Sequence, residues 1–124
     1  METNIRNKCK AYTSLEQSKK LAEFLPIESA DMGYIPSADD DDGNTLYTAE
    51  FKSEFIFDED CCILCWSLAA LLDVLPEIQG SKPVIALDDN YITYPHMSGL
   101  HFKADNLVDA CYEMIIKLHD QKLL

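Results

Sequence analysis

The sequence predicts an α+β fold, in which about three helices pack on one face of a small antiparallel sheet. Two amphipathic segments with helical periodicity lie near the ends of the chain, and a strongly apolar segment lies near its middle. The stretches between them are short and are separated by turn residues, as in antiparallel hairpins. No alternation of strand and helix is visible that would indicate a parallel sheet, so antiparallel pairing is expected.

The first helix is expected to begin at Thr13, which forms a capping-box pattern with Glu16. Pro26 ends this helix, because proline cannot continue the hydrogen-bond ladder. The polar, mildly basic residues 1–12 are predicted to be a flexible N-terminal lead. The length of 124 residues then leaves residues 13–124 for a single α+β domain.

Three strands are expected before the middle of the chain, over residues 30–35, 45–51 and 55–57. Gly33 weakens the first of them, since glycine has no side chain to pack. An acidic loop is predicted over residues 36–44, because its four adjacent carboxylates repel one another and require water.

Residues 65–75 form the most apolar run and are expected to be a buried helix. Ser67 is a favourable N-cap residue for it. Trp66, the only tryptophan, then occupies the position before the cap and Leu71 the fourth helical position, where the two side chains form a hydrophobic staple.

The second half of the chain is expected to contain three strands followed by a final helix. The final helix is expected to begin after Asn106, with Asp109 at its third position. Three further strands are predicted over residues 83–87, 91–94 and 100–103.

Several sequence motifs, called phrases below, are long enough to indicate a family resemblance. Cys-Trp-Ser-Leu-Ala-Ala-Leu-Leu stands at 65–72 and Ala-Asp-Asn-Leu-Val-Asp-Ala-Cys at 104–111, with further phrases at 18–23 and 25–32. They resemble an uncharacterised family of small proteins encoded by gut bacteria and their phages or other mobile elements. The family often has proline where this chain has Leu107, and residues 36–62 match none of its phrases. The resemblance implies a genomic setting and no mechanism.

The charge of the chain is concentrated in one segment. Residues 28–60 carry eleven acidic residues and a single lysine, a net charge of −10 out of −12 for the whole chain. Such a field repels nucleic acid and anionic membranes, so neither is an expected partner. A basic protein is the expected partner, and Asp39, Asp40, Asp41 and Asp42 are the first candidate binding residues.

The cysteines and the aspartate run indicate no metal and no cofactor. Cys62 and Cys65 form a lone CxxC without a second pair of ligands, which favours buried structural thiols over zinc. If Gly43 is placed at the sixth position of a calcium loop, both end positions are alanine, so this calcium motif is absent. The start of the chain lacks an apolar leader and no run is long enough for a bilayer, so the expected location is the cytoplasm.

The remaining candidates favour binding over catalysis. Tyr91 and Tyr94 are candidate contact residues, since tyrosine is enriched in interfaces. Together with the genomic setting that the resemblance implies, the small size, the localised charge and the missing catalytic motif favour a non-enzymatic, protein-binding accessory protein of a phage or mobile element. An acidic nucleic-acid mimic or anti-defence protein is the first alternative. A small enzyme with a pocket built from His96, His101, Cys65 and scattered acidic residues is the second.

Overall fold

The computed structural model describes residues 10–58 and 60–124, and it confirms the α+β class. The described residues contain three α-helices: α1 (Leu15–Ala22), α2 (Leu68–Val74) and α3 (Leu107–Asp120). The strands in chain order are β1 (Met32–Asp39), β2 (Thr45–Phe51), β3 (Ile63–Cys65), β4 (Val84–Ala86), β5 (Tyr91–Thr93) and β6 (His101–Lys103).

The strands form two antiparallel sheets, ordered β2-β1-β3 and β4-β5-β6, and not the single sheet that the sequence predicts. The chain around Tyr12 pairs with the residues that directly follow β3. Tyr12 forms a β-bridge with Ser67, and the N–H of Thr13 donates to the carbonyl of Trp66 at 2.9 Å. The later strands, β4, β5 and β6, pair with one another in the second sheet.

The hydrophobic core lies mainly around α3, which packs on β5, β6 and α2. Half of this helix is buried, namely Leu107, Val108, Ala110, Cys111, Met114, Ile115 and Leu118. Helix α1 packs against β3. Trp66 is fully buried, and its indole N–H donates to the hydroxyl of Ser29 at 3.0 Å, so its single polar atom is satisfied.

Two of the predicted helix starts are confirmed. The hydroxyl of Ser67 accepts the N–H of Ala70 at 3.2 Å, and the side chain of Asn106 accepts the N–H of Asp109 at 2.8 Å. These bonds satisfy amides that the first turn of each helix leaves without partners.

The predicted cap of the first helix at Thr13 is wrong by one residue. Ser14 is the cap: its hydroxyl accepts the N–H of Gln17 at 3.2 Å, and the Gln17 side chain accepts the N–H of Ser14 at 3.0 Å. Thr13 is instead fully buried, and its hydroxyl accepts the N–H of Trp66 at 3.1 Å. The tertiary contact with Trp66 thus keeps Thr13, the predicted cap residue, out of the capping position.

The apolar composition of α2 predicts a helix that is buried on all sides, and this prediction is wrong. Ala70 and Leu71 are buried, whereas Ala69 and Asp73 are exposed. The small alanine side chain leaves little apolar surface in water at the exposed position.

The strand predictions need two corrections in the first sheet. The predicted acidic loop over 36–44 is too long, because β1 continues to Asp39 and the turn occupies only residues 40–44. The predicted strand at 55–57 is wrong. The chain makes a short 3₁₀ turn after β2, and the ring of Phe55 then packs over Gly33.

Part of the predicted N-terminal lead is joined to the domain. The ammonium of Lys10 lies 2.8 Å from a carboxylate oxygen of Asp109, and the carbonyl of Ala11 accepts the N–H of Leu68 at 3.2 Å. The rest of the lead, residues 1–9 with Cys9, lies outside the described residues.

In the part of the chain that the structure describes, no helix combines the length and the apolar character needed to cross a bilayer.

Candidate binding surface

The acidic hairpin, defined as residues 32–51, is the region of the molecule that contributes least to the core. Strands β1 and β2 pair from Met32–Phe51 to Asp39–Thr45, with an irregularity between Pro36 and Ala38. Burial falls along β1: its first two residues are buried and its last four are exposed. The outer half of the hairpin therefore has both faces in water.

The base of the hairpin is fixed to the helical part of the molecule. The carboxylate of Asp31 accepts the N–H of Ser67 at 3.0 Å and also the hydroxyl of that residue. The phenol of Tyr34 donates to the carbonyl of Thr13 at 2.6 Å. The hairpin thus has an anchored base, although its outer half is exposed.

Asp40 organises the turn at the tip of the hairpin. One of its carboxylate oxygens accepts the N–H groups of Asn44 at 2.8 Å and of Asp42 at 2.9 Å. The bond from the Asn44 N–H is the largest of the effects that lower the pKa of the Asp40 carboxyl. Gly43 supplies the positive φ of 83° that the turn requires. This carboxylate is therefore engaged within the turn.

The other predicted acidic site residues are free to meet a ligand. Asp39, Asp41 and Asp42 are all exposed at the tip of the hairpin. Three neighbouring carboxylates in water at the end of a projecting ribbon form a surface that attracts cations and basic side chains.

The predicted tyrosines do not join this surface. Tyr94 is 1% exposed, and its hydroxyl donates to the carbonyl of Pro76 at 2.6 Å, so it is a core residue and its prediction as a contact residue is wrong. Burial raises the pKa of Tyr94 to about 12. Tyr91 is half-buried on the second sheet, where its ring lies 6.4 Å from that of His101.

Strand β2 forms an outer edge of the first sheet, and the direction of its backbone groups follows from the ladder. The N–H of Lys52 donates to the carbonyl of Asp31 at 2.9 Å, in register with the pairs of β1 and β2. Hydrogen-bonded pairs alternate with non-hydrogen-bonded pairs in such a ladder, so Thr48 and Glu50 also face β1. The outward N–H and C=O groups, called the open edge below, belong to Tyr47, Ala49 and Phe51.

A crossover loop, residues 52–62, lies beside the hairpin. The ammonium of Lys52 donates to the carbonyl of Ile27 at 2.8 Å and lies 5.4 Å from the centre of the Phe57 ring. The rings of Phe55 and Phe57 are 6.4 Å apart. Ile56, by contrast, is 94% exposed. The loop therefore holds most of its aromatic groups against the domain and presents one large aliphatic side chain to solvent.

Two cavities meet at Phe57. The first, of about 550 Å³, is lined by Ile56, Phe57, Asp58 and Asp60. The second, of about 410 Å³, is lined by Lys19, Ala22, Ile27, Phe57, Cys62, Ile63 and Leu64. An apolar floor with carboxylates beside it suits the side chains of lysine and arginine, whose stems are apolar and whose heads are cationic.

The cysteines form no activated nucleophile in the described residues. Cys65 is fully buried and Cys62 is 8% exposed, so the predicted burial of both is confirmed. Burial raises the pKa of the Cys65 thiol and raises that of Cys111 to about 12. Cys61 is exposed, and its hydrogen bond with Cys62, with the sulfurs 3.8 Å apart, is the main cause that raises its pKa to about 11, to which the charge of Asp58 adds. Thiols held in the protonated form are poor nucleophiles.

The histidines do not complete an enzyme site with Cys65. His96 and His101 are exposed beside and within the second sheet, whereas Cys65 lies in the first sheet with no exposed surface. Within residues 10–58 and 60–124, no three or more His, Cys, Asp or Glu side chains are grouped so as to hold a metal ion.

The sequence interpretation missed the open edge of β2 and the exposed part of the crossover loop. A signal for the first was available: residues 45–51 contain neither lysine nor proline, the residues that protect most natural edges. The exposed part of the crossover loop had no such signal, because Phe55, Ile56 and Phe57 match the composition of a buried strand.

Comparisons of this chain with protein-family models, with curated proteins and with solved structures found no match.

Proposed function

We propose that this protein is a non-enzymatic accessory protein of a phage or mobile element, and that its acidic hairpin binds a basic protein partner. The observation that carries the proposal is the exposure of the outer hairpin on both faces, with Asp39, Asp41 and Asp42 at its tip. A two-stranded ribbon of this kind is only marginally stable by itself and adds little to the core. A role in recognition accounts for its presence.

The surrounding charge supports a basic partner. The hairpin and all but the last two residues of the crossover loop lie within residues 28–60, whose net charge is −10. The single lysine of this segment donates to a backbone carbonyl of its own chain. Complementary charge accelerates encounter and makes it sensitive to salt, so binding is expected to weaken strongly as ionic strength rises.

The nucleic-acid mimic is the weaker alternative. Duplex DNA carries regularly spaced charge, roughly one per 1.7 Å of axis, and a mimic needs acidic residues along its length. In the hairpin, the acids cluster at the turn, and neutral residues follow on β2: Leu46, Tyr47, Thr48 and Ala49. This distribution suits a partner that meets one end of the ribbon.

The test is a comparison of two triple variants that remove the same charge. The hairpin variant is Asp39→Asn, Asp41→Asn and Asp42→Asn. The control variant neutralises the exposed Glu16→Gln, Glu113→Gln and Asp120→Asn on α1 and α3. Each protein is immobilised and exposed to a lysate of the native host at about 50 mM and about 300 mM NaCl, concentrations that differ clearly in charge screening. Retained proteins are identified by mass spectrometry.

The expected result is a basic protein that the wild type and the control variant retain at low salt and that the hairpin variant loses. Equal loss from both variants would mean that only total charge matters. Retention by all three would remove the hairpin from the binding surface.

A further inference from the structure

We infer that the partner binds in an extended conformation and adds a strand to the open edge of β2, so that the first sheet becomes four-stranded. This inference rests on the proposed function, since it names the way in which the basic partner is held. Main-chain hydrogen bonds would supply the affinity, and side chains of the partner that alternate along the strand would supply the selectivity.

The first step is that β2 differs from the other edges in the described structure. It is seven residues long, whereas the outer strands of the second sheet, β4 and β6, have three residues each. The β3 side of the first sheet is covered by α1 and by the chain around Tyr12. The edge of β2 is thus the longest one left without a covering element.

The second step is that β2 has little of the protection that keeps natural edges from pairing, since its single charged residue is Glu50 near one end. Charged side chains, proline and bulges on the edge strand are the usual protection. Strand β2 contains no lysine and no proline, and the irregularity of the hairpin lies in β1, between Pro36 and Ala38. The side chains of Leu46 and Phe51 are 47% and 50% exposed, and they offer apolar contacts to an added strand.

The third step concerns the identity of the occupant. A second copy of this chain would bring two segments of net charge −10 together along the edge, and their repulsion opposes self-pairing. A segment rich in lysine or arginine meets carboxylates at both ends of β2, namely Asp39, Asp41 and Asp42 at the turn and Glu50 and Glu54 at the base. The chemistry therefore selects a basic, extended protein segment.

The probe for the test is a short peptide of alternating lysine and valine. A second peptide has the same sequence and charge but carries N-methyl groups on all of its backbone amides, which removes the donors of both of its edges. Binding to the ¹⁵N-labelled protein is followed by chemical-shift changes at about 50 mM NaCl, where charge screening is weak. We expect the largest shifts at Tyr47, Ala49 and Phe51, and an affinity about tenfold lower for the methylated peptide.

A variant of the protein tests the same bonds from the other side. Ala49→Pro removes an outward N–H, and the inward ladder to β1 is retained because proline is tolerated at such edge positions. Ala49→Thr keeps the N–H and serves as the control. We expect Ala49→Pro to weaken binding of the unmethylated peptide about tenfold, and Ala49→Thr to leave it within about twofold. If Ala49→Pro does not fold, the comparison of the two peptides decides the question.

Equal affinity for the two peptides, or shifts confined to residues 39–44, would overturn strand addition and leave the proposed charge recognition intact. Full retention of salt-dependent peptide binding at the open edge by the hairpin variant would instead contradict the proposed role of the tip carboxylates and leave strand addition intact. The two failures are therefore distinguishable.

Discussion

The region around α3 and the acidic hairpin use their side chains in opposite ways. Seven of the fourteen residues of α3 are buried, whereas only Met32 and Gly33 are buried among the fifteen residues of β1 and β2. Buried apolar area is the main favourable contribution to folding. Stability therefore resides mainly around α3 and Trp66, and the hairpin is maintained by its ladder, its turn and its anchored base.

The largest expected effect follows from Trp66→Ala, which removes the largest fully buried side chain. The variant should unfold with a free energy lower by about 3–5 kcal/mol, because the change creates a large cavity. Urea unfolding followed by far-UV circular dichroism measures it. The control in the hairpin is Leu46→Ala, for which a change of at most about 0.5 kcal/mol is expected. Similar losses in the free energy of unfolding for the two variants would mean that the hairpin contributes as much to stability as the core around Trp66.

The next effect lies at the boundary between the regions, at Gly33. A Cβ at this position would lie only 2.7 Å from the ring of Phe55. Gly33→Ala should therefore destabilise the protein by about 1–3 kcal/mol through overpacking. In the double variant Gly33→Ala, Phe55→Ala the clash is absent, so the measured effects of the two changes should not add. Strict additivity in urea unfolding would mean that the two residues are not in contact.

Asp109 tests how α1 is joined to α3. Its carboxylate accepts bonds from Lys10 at 2.8 Å and from Gln17 at 2.9 Å. Burial raises the pKa of Asp109, but these bonds and the Lys10 charge outweigh it and lower the pKa overall. The charged form thus stabilises the fold at neutral pH, and Asp109→Asn should cost about 1 kcal/mol there.

The pH dependence of this variant has a defined sign. A carboxylate with a lowered pKa contributes stability above the pKa of the unfolded chain, near 3.9, and loses it as pH falls through its folded value. The difference between wild type and Asp109→Asn should therefore shrink as pH falls from 7 toward about 3. The exposed Glu113→Gln on the same helix is the control. A difference that grows on acidification would contradict the assignment.

The smallest effect requires no variant and concerns the hairpin alone. Amide hydrogen exchange should alternate along β2: Thr48 and Glu50, which face β1, exchange slowly, and Tyr47, Ala49 and Phe51 exchange faster. The measurement is made on the free protein by NMR. Uniform protection along β2 would mean that its edge is covered, and the contrast between the two regions would then weaken.

The parts of the fold that local chemistry determines were predictable from the sequence. The caps at Ser67 and Asn106 and the strand over 45–51 follow from residue type and alternation, and they are confirmed. The cap at Thr13 was not predictable, because the hydroxyl of that residue bonds to Trp66, 53 residues further along the chain. Periodicity contains no information about such distant pairing.

The candidate surface was predictable in charge but not in shape. Asp39, Asp41 and Asp42 could be identified as exposed from their sequence, since adjacent carboxylates require water. Asp40 differs from the other three aspartates because its carboxylate bonds to backbone N–H groups within the turn, and this depends on the turn geometry. The burial of Tyr94 depends on α3 and its neighbours. Side-chain type alone does not distinguish a contact residue from a core residue when both are tyrosine.

The ladder between Thr13 and Trp66 and the ion pair of Lys10 with Asp109 affect how the chain reaches its native state. The ion pair joins residues 99 positions apart, so it can form only after Asp109, which is synthesised late, becomes available to Lys10, which is synthesised early. Contacts of such long sequence separation slow folding, because the entropy of closing the loop is lost before the contact forms. On the ribosome, the hairpin can form well before the β3 side of its sheet is covered. We expect the nascent chain to expose both edges of this sheet until β3, Trp66 and Ser67 have emerged and can bond to β1 and to the segment around Tyr12.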